Sequence, residues 1–191
     1  AAPAHVIAIP KGMALVRALR LPGNRIPVGE LPAIAQLGEA QPAIDTAPTA
    51  DDEAVVAFTS GSIGPAKGVV YRHGQVQRTR DVLRDHYGIT DADALVAAFA
   101  PWAVLGPALG IASSIPDMDV TSPRTLTARA FADAVAVIGG TLVWASPAAL
   151  GSILDSTAVL SDADVERLGT LRLILGAGAP VAPALLHGMA R

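Results

Sequence analysis

The sequence predicts an α/β fold: a layered, mostly parallel sheet with flanking helices. Three observations predict it. Short apolar runs recur along the second half of the chain, separated by amphipathic stretches of helical period. Two of those runs are apolar without alternation, the pattern of strands buried on both faces. Glycine, proline and capping residues stand where these runs change period.

The composition supports this and excludes several classes. The chain has 191 residues, 51% hydrophobic but only 4% aromatic, and 16% charged. Such a chain is too apolar for disorder. A net charge of −3 with scattered basic residues argues against nucleic-acid binding. Without cysteine there is no disulfide, thiolate metal site or cysteine nucleophile, which fits a reducing cytoplasm. The uncharged runs Ala94 to Pro116 and Ala134 to Leu154 are long enough for membrane spans. Pro101, Gly106, Pro107, Gly110, Gly139, Gly140 and Pro147 break both, so each is expected to divide into a strand and a short helix, with no transmembrane span. The chain opens on Ala1-Ala2-Pro3 and runs at once into strand-like Val6 to Ile9, which is expected to be the middle of something longer.

The elements are read in order. Residues 1 to 53 form a Pro/Gly-rich lead-in, mostly loop from Leu21 to Asp52, with a short helix at Leu31 to Leu37. The core is read as residues 54 to 191, an incomplete domain. Ala54 to Phe58 and Gly68 to Arg72 are strands. Gly74 to Tyr87 is a helix with Val76, Leu83 and Tyr87 on one face, stopped by Gly88. Its Arg78, Arg80 and Arg84, with Arg72, are expected to form an exposed face paired to Asp81 and Asp85 at helical spacing. Leu95 to Phe99 is a strand. Thr127 to Ile138 is a helix with Phe131, Val135 and Ile138 in register. Thr141 to Ala145 is a strand, and Pro147 to Leu154 a helix capped by Ser146. Ser161 opens a short helix, Leu171 to Leu175 is a strand, and Pro180 to Ala190 a last helix.

The segment richest in chemistry is Thr59-Ser60-Gly61-Ser62-Ile63-Gly64-Pro65-Ala66-Lys67-Gly68. Its glycines let backbone approach an anion, its N–H groups can form a nest, and Lys67 adds a mobile charge. It is not a Walker A loop, because Ala66 and Gly68 flank the lysine and a strand follows. An ordinary glycine-rich hairpin has the same composition. The four histidines have no metal-ligand spacing, and Asp117 and Asp119 suit a solvated turn. Trp102 and Trp144 suit either core packing or a pocket wall.

That segment resembles the phosphate-binding signature of the adenylate-forming superfamily, which includes acyl-CoA synthetases, peptide-synthetase adenylation domains and luciferases. Ile63 and Pro65-Ala66 depart from the usual Thr and x-Pro. Leu171 to Val181 resembles the loop bordering adenine, with Ala177 in place of its first glycine. Ala100 to Gly110 resembles the acyl-pocket region, without the aromatic-His pair many ligases carry. Ile9-Pro10-Lys11, Lys67 to Gly74 and Ile115 to Asp119 look most like olefin β-lactone synthetases and their fatty-acyl ligase relatives.

The resemblance implies an AMP-forming acid ligase that uses ATP and Mg²⁺ on a fatty or β-hydroxy fatty acid. The acyl group would pass to CoA or close into a β-lactone. It gives phosphate binding to Thr59, Ser60, Gly61, Ser62, Gly64 and Lys67, with Lys67 also catalytic. It gives the adenine edge to Gly178, Ala179 and Pro180, and the acyl pocket to Trp102, Gly106 and Trp144. No metal ligand is assigned, the Mg²⁺ glutamate being expected after Arg191. The chain alone is expected to be inactive, and its exposed apolar surface to favour homo-oligomers. A non-catalytic nucleotide- or acyl-binding module is the alternative.

Overall fold

The computed structural model describes residues 3–39, 41–42, 47–59, 67–99 and 102–190. They fall into two compact units, 1–48 and 49–191.

In the first unit, β1 (His5–Ala8) runs parallel to β2 (Asn24–Pro27), and α1 (Pro10–Ala18) makes the crossover. Pro10 sits in the first turn of α1, where its missing N–H costs nothing. Met13 and Val16 are the buried side of that helix. A 3-10 turn at Val28–Glu30 leads into α2 (Leu31–Glu39). The stretch expected to be mostly loop therefore contains a strand. β2 has only four residues and ends in proline, so its sequence carries little strand signal; it exists because β1 pairs with it.

The second unit opens with an antiparallel hairpin, β3 (Glu53–Thr59) and β4 (Lys67–Arg72). β4 runs directly into α3 (His73–Tyr87). The turn before β3 docks on the start of this helix: the Gly74 N–H donates to the Ala50 carbonyl at 2.9 Å. A Cβ at Gly74 would stand 3.1 Å from that oxygen, so glycine permits the close approach. Gly88 ends α3 in the left-handed conformation, φ 57°.

The arginines of this region do not pair at helical spacing as expected. Arg72 precedes the helix and its guanidinium donates to the Asp51 carbonyl. Arg80 pairs with its neighbour Asp81 at 2.6 Å. Arg84 reaches beyond the helix to Asp91 at 2.9 Å and to the Leu109 carbonyl. Tertiary acceptors within reach outcompete the weak i,i+4 pairs.

The main sheet has four parallel strands in the order β6-β5-β7-β8: β5 (Ala94–Ala98), β6 (Ala112–Ser114), β7 (Leu142–Ala145) and β8 (Leu173–Gly176). The first long uncharged run is divided into β5, α4 (Leu105–Leu109) and β6. The second is divided among the end of α5 (Ala128–Ile138), β7 and most of α6 (Pro147–Asp155). Among the described residues no helix is long and apolar enough to cross a membrane.

Helices cover both faces, which is why β5 and β7 need apolar residues at consecutive positions. One face sets Val96, Ala98, Val143 and Ala145 against Phe131 and Val135 of α5 and Leu150 and Ile153 of α6. The other sets Leu95, Ala97 and Leu142 against Leu83 and Tyr87 of α3 and Leu105 and Leu109 of α4. Burying each of the larger side chains contributes about 1.5–3 kcal/mol.

The helix ends follow their caps. The Thr127 and Ser146 side chains accept from Ala130 N and Ala149 N, both at 3.2 Å. Ser161 caps α7 (Asp162–Leu168). The last helix, α8 (Pro183–Met189), starts three residues later than expected. Gly178 at φ 91° and Pro180 keep the preceding stretch out of helix.

Candidate active site

All four strands of the main sheet point the same way, so their C-terminal ends form one edge. In register, Ala98, Ala145 and Gly176 lie side by side there. Open α/β sheets bind ligands at this edge. Three sequence-derived site segments reach it. Trp144 is the penultimate residue of β7, Trp102 follows the end of β5, and Gly178, Ala179 and Pro180 follow β8. The Ala177 N–H donates to the Ala145 carbonyl at 3.0 Å, which holds the start of that last loop against β7. Gly178 to Pro180 are exposed.

The two tryptophans meet. Their rings stack with centroids 4.6 Å apart and planes 19° apart, and Phe99 tilts against Trp102 at 6.5 Å. Both indole Nε1 atoms are buried without an acceptor among the described residues. Gly106, in α4, packs on β6, where any Cβ would overlap Ser113. The Ser113 hydroxyl is also buried and unpartnered among the described residues.

The described ends of the glycine-rich segment belong to the β3–β4 hairpin. Thr59 and Lys67 are partners at the closing end of the β3–β4 hairpin, and Lys67 is exposed. The loop thus joins two strands, as its sequence implied. Ser60, Gly61, Ser62 and Gly64 lie outside the described residues. Among the described residues no three His, Asp or Glu side chains gather in a metal-binding cluster. Asp119 serves its own turn, accepting from the Thr121 N–H at 2.9 Å.

Two charge clusters were not legible in the sequence. At the N-terminal edge of the main sheet, buried Asp93 takes a two-pronged contact from Arg172, at 2.8 and 2.7 Å. It also accepts from the Thr141 hydroxyl at 2.7 Å and the Thr90 N–H at 2.9 Å. The Arg172 hydrogen bonds, aided by the other two and opposed by burial, hold the Asp93 carboxyl well below the usual carboxylate range. Asp164 is held down likewise, first by Arg129 and then by Ser161, and ties α7 to α5. Asp93 and Arg172 are 79 positions apart, so no short window of sequence holds both. Both clusters brace the scaffold and lie outside the candidate site residues.

Across residues 9–191 the chain matches the family described as AMP-binding enzyme. It belongs to that family. Within this AMP-binding family it is 40% identical over 139 residues to an olefin beta-lactone synthetase of Xanthomonas campestris pv. campestris, covering 73% of this chain and 23% of that protein. It is 36% identical over 137 residues to an olefin beta-lactone synthetase of Stenotrophomonas maltophilia, covering 70% of this chain and 23% of that protein. The chain thus spans about a quarter of the length of the curated relatives it matches. Its fold is similar to that of the anthranilate CoA ligase AuaEII, solved in complex with anthranoyl-AMP. There the TM-score is 0.73 at 18% identity, over 97% of this chain and 37% of the other.

Proposed function

We propose that the chain supplies nucleotide- and acyl-binding residues for an enzyme that activates a 3-hydroxy carboxylic acid with MgATP and closes it to a β-lactone. The observation that carries this is family membership combined with two relatives, at 36–40% identity, that are olefin β-lactone synthetases. The CoA ligase neighbour, solved with an acyl-adenylate, favours the same first step by fold alone.

In that step a carboxylate oxygen attacks the α-phosphorus of ATP. A new P–O bond forms, the bond to the β-phosphate oxygen breaks, and pyrophosphate leaves. In the second step the 3-hydroxyl oxygen attacks the acyl carbon. Its proton is lost, the bond to the AMP oxygen breaks, and a four-membered lactone and AMP result. Little covalent chemistry is asked of the protein, so its task is positioning and charge neutralisation. The segment from Thr59 to Lys67 is assigned to the phosphates, with the Lys67 ammonium as the mobile charge. Gly178, Ala179 and Pro180 are assigned to the adenine edge, and Trp102, Trp144 and Gly106 to the acyl side.

Calorimetric titration of the chain with MgATP tests the nucleotide half. Lys67→Ala is expected to weaken binding roughly tenfold, the equivalent of one charge-assisted contact. A folded chain that binds no ATP, or binds it equally well after the Lys67→Ala substitution, would overturn the assignment. The reaction is tested by exchanging this segment into the Xanthomonas relative and measuring acid-dependent pyrophosphate release. Release with no 3-hydroxy acid of any chain length would count against the reading.

A further inference from the structure

α4 cannot hold its own place. It has five residues, Gly106 and Pro107 among them, and no side chain caps its N-terminus. So short a helix does not form alone, because nucleation outweighs the few bonds it gains. What it packs on sets its position, and that is α3 on one side and β6 on the other. The packing against α3 is apolar: Leu105 and Leu109 join Leu83 and Tyr87 in one cluster. Apolar contact is non-directional, so by itself it leaves a short helix free to slide or turn on its support.

Arg84 of α3 supplies the direction. Its guanidinium donates to the carbonyl of Leu109, the last residue of α4, as basic side chains do at helix C-termini. The same guanidinium pairs with Asp91 at 2.9 Å. The Arg84 side chain is 28% exposed and that of Asp91 86%, so the ion pair is open to solvent and worth little. The hold on the carbonyl is the contact that matters. Among the described residues, Arg84 is the side chain that hydrogen-bonds to α4. α4 carries Gly106 and follows closely on Trp102, whose ring stacks on that of Trp144 in β7.

We infer that Arg84 is a positioning residue for the acyl side of the site. By holding the C-terminal end of α4, it sets where Trp102 and Gly106 stand against Trp144, and so how well the acid is bound. The inference rests on the acyl-side assignment proposed above and adds a residue on a different helix, which acts through α4 and does not touch the acid.

The tryptophans read that placement without any ligand. The chain has two, and stacked indoles couple to give an exciton couplet in circular dichroism. Arg84→Met keeps an apolar stem and removes the donor. It is expected to lose most of the couplet while the chain stays folded by urea unfolding. Arg84→Lys keeps a donor of similar reach and is expected to retain most of the couplet. Asp91→Asn breaks the ion pair, leaves the carbonyl contact, and is expected to match the parent chain. Arg84→Gln, too short to reach but still polar, is expected to behave as Arg84→Met and takes its place should that variant not fold. The same samples are titrated with 3-hydroxydecanoate in the presence of MgATP, followed by tryptophan emission. The acid is expected to bind Arg84→Met about fivefold more weakly, the equivalent of one hydrogen bond, with MgATP affinity by calorimetry unchanged. An unchanged couplet in the folded variant, an equal loss in Asp91→Asn, or acid binding that is unchanged or falls together with ATP binding would overturn the inference. A parent chain that binds no acid counts against the proposed function instead, and the couplet then decides whether Arg84 holds α4.

Discussion

The β3–β4 hairpin and the four-stranded parallel sheet are built from the same kinds of residue and end in opposite environments. In the hairpin, Val55, Val56, Val69, Val70 and Tyr71 are exposed, and Phe58 is 72% exposed. In β5 every residue is buried, with Val96 and Ala97 at 0%. The difference lies in the neighbours. β5 has a strand on each side and helices on both faces, whereas β3 and β4 have each other and the start of α3. Apolar, β-branched composition specifies a strand; it does not specify that the strand is covered.

The largest test of that contrast is truncation. Leu95→Ala opens a cavity at a side chain that is 1% exposed, and is expected to cost about 2–5 kcal/mol in urea unfolding. Phe58→Ala removes a larger side chain from the hairpin and is expected to cost under about 0.5 kcal/mol. Comparable losses at the two sites would show that the hairpin is packed in solution, and the contrast would fail.

Adding a methyl group gives a smaller effect of the same kind. A Cβ on Gly140 would stand 2.8 Å from Cγ2 of fully buried Val96. Gly140→Ala is expected to destabilise by about 1–3 kcal/mol. On Gly68 the nearest atom is the exposed ring of Phe58, at 3.3 Å, which can move aside. Gly68→Ala is expected to be neutral or slightly stabilising through loss of unfolded-state freedom. Thermal unfolding of the two variants side by side checks this.

Next comes the clamp at the N-terminal edge of the main sheet. Asp93→Asn is expected to cost on the order of 1–2 kcal/mol at neutral pH, discounted because the Arg172 side chain is 40% exposed. The folded protein lowers the Asp93 pKa, so the carboxylate's contribution is fully present above its ordinary value near 4. It is lost as pH falls below that value toward the folded one. The gap between the parent chain and the asparagine variant should therefore narrow steadily as the pH is lowered from about 5 to about 2. A gap that widens on acidification would contradict the pairing.

The smallest change in stability is expected for Val70→Thr on the hairpin, within about 0.5 kcal/mol. Its readout is association. Exposed apolar strands with free edges invite pairing with other chains, so the threonine variant should scatter less light at equal concentration. Unchanged scattering would remove the hairpin as the sticky surface.

Much of the fold was legible because its signals are local. Gly88 and Gly139 close α3 and α5 in left-handed geometry, and Ser146 with Pro147 opens α6, as their types require. Consecutive apolar residues marked β5 and β7 as buried on both faces. What escaped is short or paired from afar. β2 has no strand composition and depends on β1, and β6 is three residues long. The arginine partners of α3 lie outside the helix. At the site, motif residues marked the hairpin and the loop after β8. That Trp102 and Trp144 touch, with both nitrogens unpaired among the described residues, needed β5 and β7 to lie side by side.

By itself the sequence determined the class of fold, the caps and breaks of most helices, the strand-loop-strand setting of Lys67, and the family. These depend on residue types within a few positions of one another, where backbone sterics and local hydrogen bonds decide. Only the tertiary structure decided which apolar strands are covered, which arginine meets Asp93 across 79 residues, and which two indoles stack. Burial and pairing are properties of neighbours brought together by the chain's path, and no short window of sequence contains them.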